Sequence, residues 1–223
     1  MHTFLFADLA GFTALTEAHG DEQAADIAHE FSRATAELLP LHGAEQIKTI
    51  GDALMLRVDA PAEAVKLALA LTHDLLAECG YPTIRVGMHC GRAVHRAGDW
   101  FGATVNLAAR VSGLAHGGEV LLTDATRERA GEIEGVRFEA HGVHRLRNIT
   151  QPVQVFAAVS ERRVQREVVI DPVCRMAVDP DGAAGTLTHD GRKYYFCSLD
   201  CAARFAGDPT LYADSDALRA AGS

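Results

Sequence analysis

Residues 46–56 read QIKTIGDALML, two short apolar runs joined at Gly51-Asp52. Glycine reaches positive φ freely and aspartate tolerates turn geometry, so with Ile47, Ile50, Leu54 and Leu56 on either side the stretch predicts a tight β-hairpin. It places Asp52 at a strand end, exposed at the tip. Lys48 is harder to read as filler. The chain has only three lysines, Lys48, Lys66 and Lys193, among 21 basic residues. A generic positive charge here would be arginine, so a compact ammonium is wanted at this place. Taken alone, a solvated edge lysine beside a turn carboxylate also satisfies the stretch.

The neighbouring runs show what the hairpin joins. Residues 3–8, TFLFAD, form an apolar run that ends at a carboxylate and reads as a buried strand delivering Asp8 to its C-terminal end. Gly11 and Phe12 turn the chain into a helix. A second helix over 21–39 carries Ala24, Ile27, Ala28, Phe31, Ala34 and Leu38 at spacings of three and four, and Pro40 and Gly43 mark its end. After the hairpin, Pro61 suits the first turn of a helix that stops near Gly80 and Pro82. Residues 83–94 read as a strand, 99–102 as a loop and 103–115 as a helix on which Asn106 and Arg110, four apart, project from one side. Strands at 120–123, 137–146 and 153–159 and a short helix at 124–132 complete the pattern. The order β-α-α-β-β-α-β-α-β-α-β-β predicts an α+β domain with helices packed on a mostly antiparallel sheet.

Composition excludes several classes of function. With 48% hydrophobic and 23% charged residues the chain is ordinary for a soluble globular protein, and its net charge is −9. No basic run exists to draw a polyphosphate backbone or an anionic bilayer, so neither nucleic acid nor membrane is an expected partner. The longest apolar windows, such as 62–77, are broken by Lys66, His73 and Asp74, and the N-terminus MHTFLFADLAG has no basic region of the kind a signal peptide carries. Five cysteines, an odd number, then point to a reducing cytoplasm, with thiols as ligands or core filler. Cys79 and Cys90 lie in a helix and a strand of the first domain and read as core.

Asp8 and Asp52 each stand at the end of an apolar strand, from which turns can aim them at a common point. Carboxylate pairs hold hard divalent ions together with phosphate oxygens. Asn106 and Arg110 on one helical face would serve a reacting phosphate, Arg with forked donors and Asn with a neutral one. Together the segments FADLAGFT, IKTIGDALM and GDWFGATVNLAARV resemble, over residues 1–159, the catalytic domain of the class III adenylyl and guanylyl cyclases, which implies a ferredoxin-like fold. The resemblance implies two Mg²⁺ or Mn²⁺ ions per site on Asp8 and Asp52, adenine read by Lys48 and Asp99, and transition-state contacts from Asn106 and Arg110. A further phosphate-binding basic residue falls in residues 144–147, HRLR, where Arg147 is favoured. The chemistry implied is attack of the ribose 3′-oxygen of ATP on its α-phosphorus, expelling pyrophosphate. Family members place the metal residues and the Asn/Arg helix on opposite sides of a dimer interface, so one chain carrying both sets implies a homodimer with two equivalent shared sites.

The polar run 160–169 reads as a linker, and composition changes after it. Cys174, Cys197 and Cys201 give a C-x₂₂-C-x₃-C spacing, and thiolates favour soft or borderline ions. Residues 170–212, with DPVCRM, KYYFCS and the pattern of Cys201, Phe205 and Pro209, resemble the YHS domain, a small metal-associated, treble-clef-like module; Arg175 stands where that family usually has glycine. Zn²⁺ or Cu⁺ is the implied ion, with His189 or a water as the fourth ligand, although the thiols could instead fill a small core. Residues 213–223 read as a loose tail.

Overall fold

A computed structural model describes residues 1–77, 80–161 and 168–213. The first domain runs β1 (His2–Leu9), α1 (Phe12–His19), α2 (Asp21–Leu38), β2 (Ala44–Ile50), β3 (Ala53–Val58), α3 (Pro61–Ala77), β4 (Ile84–Gly91), β5 (Val94–Arg96), β6 (Asp99–Phe101), α4 (Ala103–Ser112), β7 (Val120–Thr123), α5 (Asp124–Ala130), β8 (Val136–His144) and β9 (Val153–Ser160). Seven strands form one sheet in the order β2-β3-β1-β4-β7-β9-β8. Only the β4–β7 pair is parallel, so the mostly antiparallel α+β architecture is the observed one.

Successive side chains of a strand point to opposite faces, and β1 shows both faces of this sheet to be covered. Leu5, Ala7 and Leu9 join Ile27, Phe31, Leu67 and Leu71 in the main core beneath α2 and α3. Phe4 and Phe6 face the other way, into a smaller cluster with Met55, Val105 and Ala108. The second face belongs to α4. That helix lies so close to β4 that a Cβ on Gly87 would come within 1.9 Å of the Ser112 nitrogen, and one on Gly91 within 2.5 Å of Thr104 Oγ1. Only glycine permits this approach, which seats α4, the helix that bears Asn106 and Arg110 on its outer side, against the sheet.

Two expectations need correction beside α4. The strand expected over 83–94 ends at Gly91, and β5 restarts at Val94 to pair with β6, so residues 99–101 are strand and not loop. Ala97 and Gly98 connect them with φ of 52° and 78°, the positive pair that a tight two-residue hairpin turn requires. Helix α4 stops at Ser112 instead of 115: Gly113 makes the last four-residue bond, to the Ala109 carbonyl, and Leu114 and Ala115 donate to carbonyls only three residues back.

The second unit comprises β10 (Val169–Ile170), β11 (Ala177–Val178), β12 (Gly185–His189), β13 (Arg192–Phe196), α6 (Leu199–Gly207) and α7 (Pro209–Ala213). Val173, Cys174, Met176, Phe196, Cys201 and Phe205 belong to the same apolar cluster as Leu15 of α1. A unit this small has little core of its own, and sharing a neighbour's is one remedy. Hydrogen bonds reinforce the contact: the Ala177 amide donates to the Tyr81 carbonyl at 2.8 Å, and the Arg204 guanidinium donates to the Glu17 carbonyl at 3.0 Å. Arg175 adopts φ 69°, the left-handed region that explains why glycine is usual there. Of the remaining expectations, Cys79 and most of the linker and the tail lie outside the described residues, while Cys90 is buried as core.

Candidate active site and candidate metal centre

The acidic pair is assembled by pairing across three strands. In register, Asp8 of β1 faces Ala53, next to the turn residue Asp52, on one side and Arg85 of β4 on the other. Arg85 Nε donates to Asp8 Oδ2 at 2.7 Å, and Nη2 donates to the same oxygen. Asp52 is half-buried and not free at the tip as expected, with its carboxyl close enough to Asp8 to be affected by its charge. Burial, then the charge of Asp8 and the bond shared with it, push the Asp52 carboxyl up to about 6. Asp52 is costly to ionise beside Asp8, and a cation held by both carboxylates would lower that cost, so the pair fits a hard divalent ion.

That arrangement has a measurable cost in the metal-free protein. Below the ordinary carboxyl value of 3.8 Asp52 is neutral whether folded or unfolded, and above about 6 it is ionised in both states. Stability is therefore lost as pH rises between those values. An undamped shift of this size is about 3 kcal/mol, and solvent screening of a half-exposed group reduces it to on the order of 1 kcal/mol. Asp52→Asn should raise the thermal midpoint at pH 7 without divalent ions, and the gain should vanish at pH 4. A variant no more stable than wild type at pH 7 would contradict the strained pair.

Lys48 reaches the same face of the sheet through an irregularity that the hairpin pattern does not reveal. Gln46 pairs with Leu56 but Lys48 with Met55, so an extra residue, Ile47, is inserted as a β-bulge. A one-residue slip flips a side chain to the other face. Without the bulge Lys48 would lie opposite Leu54, on the side of the main core. With it, Lys48 shares the face of Met55, and its Nζ meets Asp99 Oδ2 at 2.5 Å. This bond and one from the Trp100 amide hold the Asp99 carboxyl below its ordinary range. Trp100 packs at a tilt against Phe4, with centroids 5.6 Å apart, and fixes the hairpin that carries Asp99.

Asn106 and Arg110 project from the exposed side of α4, and Arg147 is exposed in the loop after β8. Leu146 anchors that loop in a cluster with Val111, the neighbour of Arg110. Among the described residues neither Asn106 nor Arg110 has a side-chain bond to the acidic pair or to the Lys48–Asp99 pair. The structure thus brings Asp8 to Asp52 and Lys48 to Asp99, and leaves the α4 residues facing solvent. Even so, one apolar cluster of Phe4, Phe6, Met55, Val105 and Ala108, with Ile47, Trp100 and Ala109 against it, supplies the sequence neighbours of Lys48, Asp99, Asn106 and Arg110 and draws on β1 and β3, the strands beside Asp8 and Asp52. In this part of the molecule, Arg85 is the residue that sequence reasoning missed.

In the second unit, wholly buried Asp171 accepts from the Val173 and Cys197 amides, each at 2.8 Å, and ties the loop bearing Cys174 to the end of β13. Ser198 caps α6 by accepting from the Cys201 amide at 3.1 Å. The sulfurs of Cys174 and Cys197 then stand 3.3 Å apart, and those of Cys197 and Cys201 3.8 Å. Hydrogen bonds with Cys197 and Cys201, with burial, push the Cys174 thiol up, while bonds from Cys174 and Cys197 hold Cys201 well below the usual range. His189 is not the fourth member: its ring packs edge-on to Phe205 and pairs with Asp190. The group that could hold a metal ion is His19, Cys174, Cys197 and Cys201, with all four ligand atoms within 4.8 Å of one another. His19 comes from the first domain.

Residues 2–157 match the family described as the adenylate and guanylate cyclase catalytic domain, and residues 169–215 match the YHS domain. The pH-sensitive adenylate cyclase of Mycobacterium tuberculosis is 40% identical over 157 residues, 69% of this chain and 39% of that protein. The chain spans less than half the length of the curated relatives it matches. The fold is that of the adenylyl cyclase CyaB from P. aeruginosa, with a TM-score of 0.62 at 22% identity, covering 73% of this chain and 95% of that one. A guanylate cyclase domain from Catenaria anguillulae gives the same TM-score at 16% identity, covering 72% of this chain and 97% of that one, so fold alone does not choose the base. The chain belongs to the family of adenylate and guanylate cyclase catalytic domains, with a YHS domain following in the same polypeptide.

Proposed function

We propose that this chain is a subunit of an adenylyl cyclase that converts ATP to 3′,5′-cyclic AMP and pyrophosphate at sites shared between two copies. The observation that carries this reading is the single apolar cluster under α4, which gathers the segments bearing Asp8, Lys48, Asp52, Asp99, Asn106 and Arg110 onto one face of the sheet. The names of its relatives support the same chemistry.

Asp8 and Asp52 would hold the divalent ions, Mg²⁺ or Mn²⁺, whose Lewis acidity eases ionisation of the ribose 3′-hydroxyl and neutralises the phosphates. The chain's own groups supply the rest. Lys48 donates to adenine N1 and Asp99 accepts from the 6-amino group. Guanine, with a carbonyl at position 6 and a proton on N1, presents the reverse polarity. Asn106 orients the ribose, Arg110 stabilises charge growing on the α-phosphate, and Arg147 binds the outgoing phosphates. Because Asn106 and Arg110 bond nothing in the acidic pair of their own chain, a second copy would complete each site. Ile50, Val94 and Phe101 are large apolar residues left exposed on the same two hairpins, with Phe101 at 53%, as a homodimer interface would need. Cys174, Cys197 and Cys201 would hold a soft or borderline ion in the YHS domain and so connect metal supply to cyclase output.

The test is to incubate the purified chain with ATP, and separately with GTP, in the presence of Mn²⁺ and to separate the nucleotides. Cyclic AMP and pyrophosphate from ATP are expected. Cyclic GMP as the main product would make it a guanylyl cyclase, and no cyclic nucleotide from either would leave a cyclase-like scaffold.

A further inference from the structure

We propose that His19 of the cyclase domain is the fourth ligand of a Zn²⁺ site whose other ligands are Cys174, Cys197 and Cys201, so that one ion joins α1 to the YHS domain. The inference rests on the reading that the three cysteines bind a metal, and goes beyond it in assigning the ligand, the ion and the connection.

Bond lengths of about 2.3 Å to sulfur and 2.0–2.1 Å to imidazole set the edges of a tetrahedral site at about 3.8 Å between sulfurs and about 3.6 Å from sulfur to nitrogen. His19 Nε2 lies 3.6 Å from Cys197 Sγ and 3.7 Å from Cys201 Sγ, and those two sulfurs are 3.8 Å apart. Three of the edges therefore match. The Cys174–Cys197 edge of 3.3 Å is the tighter one, and an ion entering the centre would open it.

The position of His19 needs an explanation of this kind. It is the last residue of α1, which Gly20 ends at φ 85° by donating to the Thr16 carbonyl. Among the described residues the ring has no hydrogen-bonding contact except the two sulfurs, and thiols are poor hydrogen-bond partners. An imidazole nitrogen among three thiols, with no oxygen donor in the group, excludes Mg²⁺ and Ca²⁺, whose ligands are oxygens. A closed four-coordinate set of three thiolates and one imidazole is one of the standard tetrahedral sets of structural Zn²⁺, which favours Zn²⁺ over Cu⁺.

The connection reaches the active site along the chain. Helix α1 starts at Phe12, just after β1 delivers Asp8, and Gly11 between them packs against the side chain of Arg175, the residue next to Cys174. An ion bound by both domains holds α1 at each end: by its own bond to His19 at the C-terminus, and through the ordered Cys174 loop at the N-terminus. Without the ion, α1 would be attached to the YHS domain by packing and, among the described residues, by the Arg204 hydrogen bond to the Glu17 carbonyl.

The experiment uses the full chain, stripped of metal under reducing, anaerobic conditions and titrated with Zn²⁺ against a chromophoric chelator, with Co²⁺ as a spectroscopic substitute. Wild type should bind one ion per chain, and Zn²⁺ should slow amide exchange across residues 12–19. His19→Ala should weaken binding by more than about a hundredfold, beyond the ~10–100-fold typical of losing an outer-shell partner, shift the Co²⁺ ligand-field bands and abolish the protection of α1. His19→Cys should restore tight binding, with stronger thiolate-to-Co²⁺ charge transfer from a fourth sulfur, and it keeps the test decisive if the Ala variant folds poorly. Unchanged affinity and an unchanged Co²⁺ spectrum in His19→Ala would overturn the assignment of His19 while leaving the cysteines as a metal site. Failure of wild type to bind either ion would overturn both, and tight uptake of Cu⁺ alone, indifferent to His19, would overturn the choice of Zn²⁺ and the clamp.

Discussion

Arg110→Ala is expected to lower kcat by about 10²–10³, the usual loss when a preorganised donor to a developing oxyanion is removed, and Asp52→Ala to leave almost no activity. The structure makes these results interpretable. Arg110 is exposed on α4, so its truncation breaks no packing, and the fold should be as stable as wild type. Asp52 is half of a strained acidic pair, so its removal should not weaken the metal-free fold. Loss of activity with an intact thermal transition would therefore report on chemistry. Substantial activity in either variant would remove that residue from the site.

The second large effect concerns the base. Lys48 and Asp99 are bonded to each other at 2.5 Å, so changing one alone leaves the other without its partner and lowers activity with every nucleotide. Changed together, Lys48→Glu and Asp99→Cys, they offer an acceptor where there was a donor and a weak donor where there was an acceptor. The ratio of kcat/KM for ATP over GTP should fall by about 10² or more, given what sites pay when a buried hydrogen-bonding group finds the wrong partner. An ATP preference that survives the double change would rule out these residues as the base readers.

Much of this was legible in the sequence because it depends on short-range rules. The Gly51-Asp52 turn, the apolar run ending at Asp8 and the four-residue spacing of Asn106 and Arg110 each follow from turn chemistry or periodicity, and the structure keeps all three. The bulge at Ile47 was not legible, since one inserted residue leaves no mark in composition yet decides which face Lys48 takes. Asp99 was expected on a loop because Ala97, unlike Gly98, gives no sign that it will adopt positive φ.

Arg85 and His19 were missed for a different reason. Arg85 alternates with buried Ile84 and Val86 and reads as the outward residue of a strand; only the register with Asp8 gives it a partner. Gly87 and Gly91 on the same strand were the available signal that a helix crosses closely at this place. His19 is a lone histidine at the end of an amphipathic helix, 155 residues before Cys174 in the chain, and no local pattern links the two. His189, much nearer in sequence, was the natural expectation for the fourth ligand and is directed instead toward Phe205 and Asp190.

The measurement that bears most directly on the proposed shared site mixes two inactive proteins. Asp52→Ala and Arg110→Ala chains are combined, allowed to exchange subunits, and assayed for cyclic AMP from ATP with Mn²⁺. In a two-fold dimer the heterodimer has one site with both lesions and one with neither, and random exchange places half the chains in heterodimers. About a quarter of wild-type activity per chain should return. A mixture that stays as inactive as its components, after exchange has been verified, would show that the two residues do not serve one site from opposite subunits.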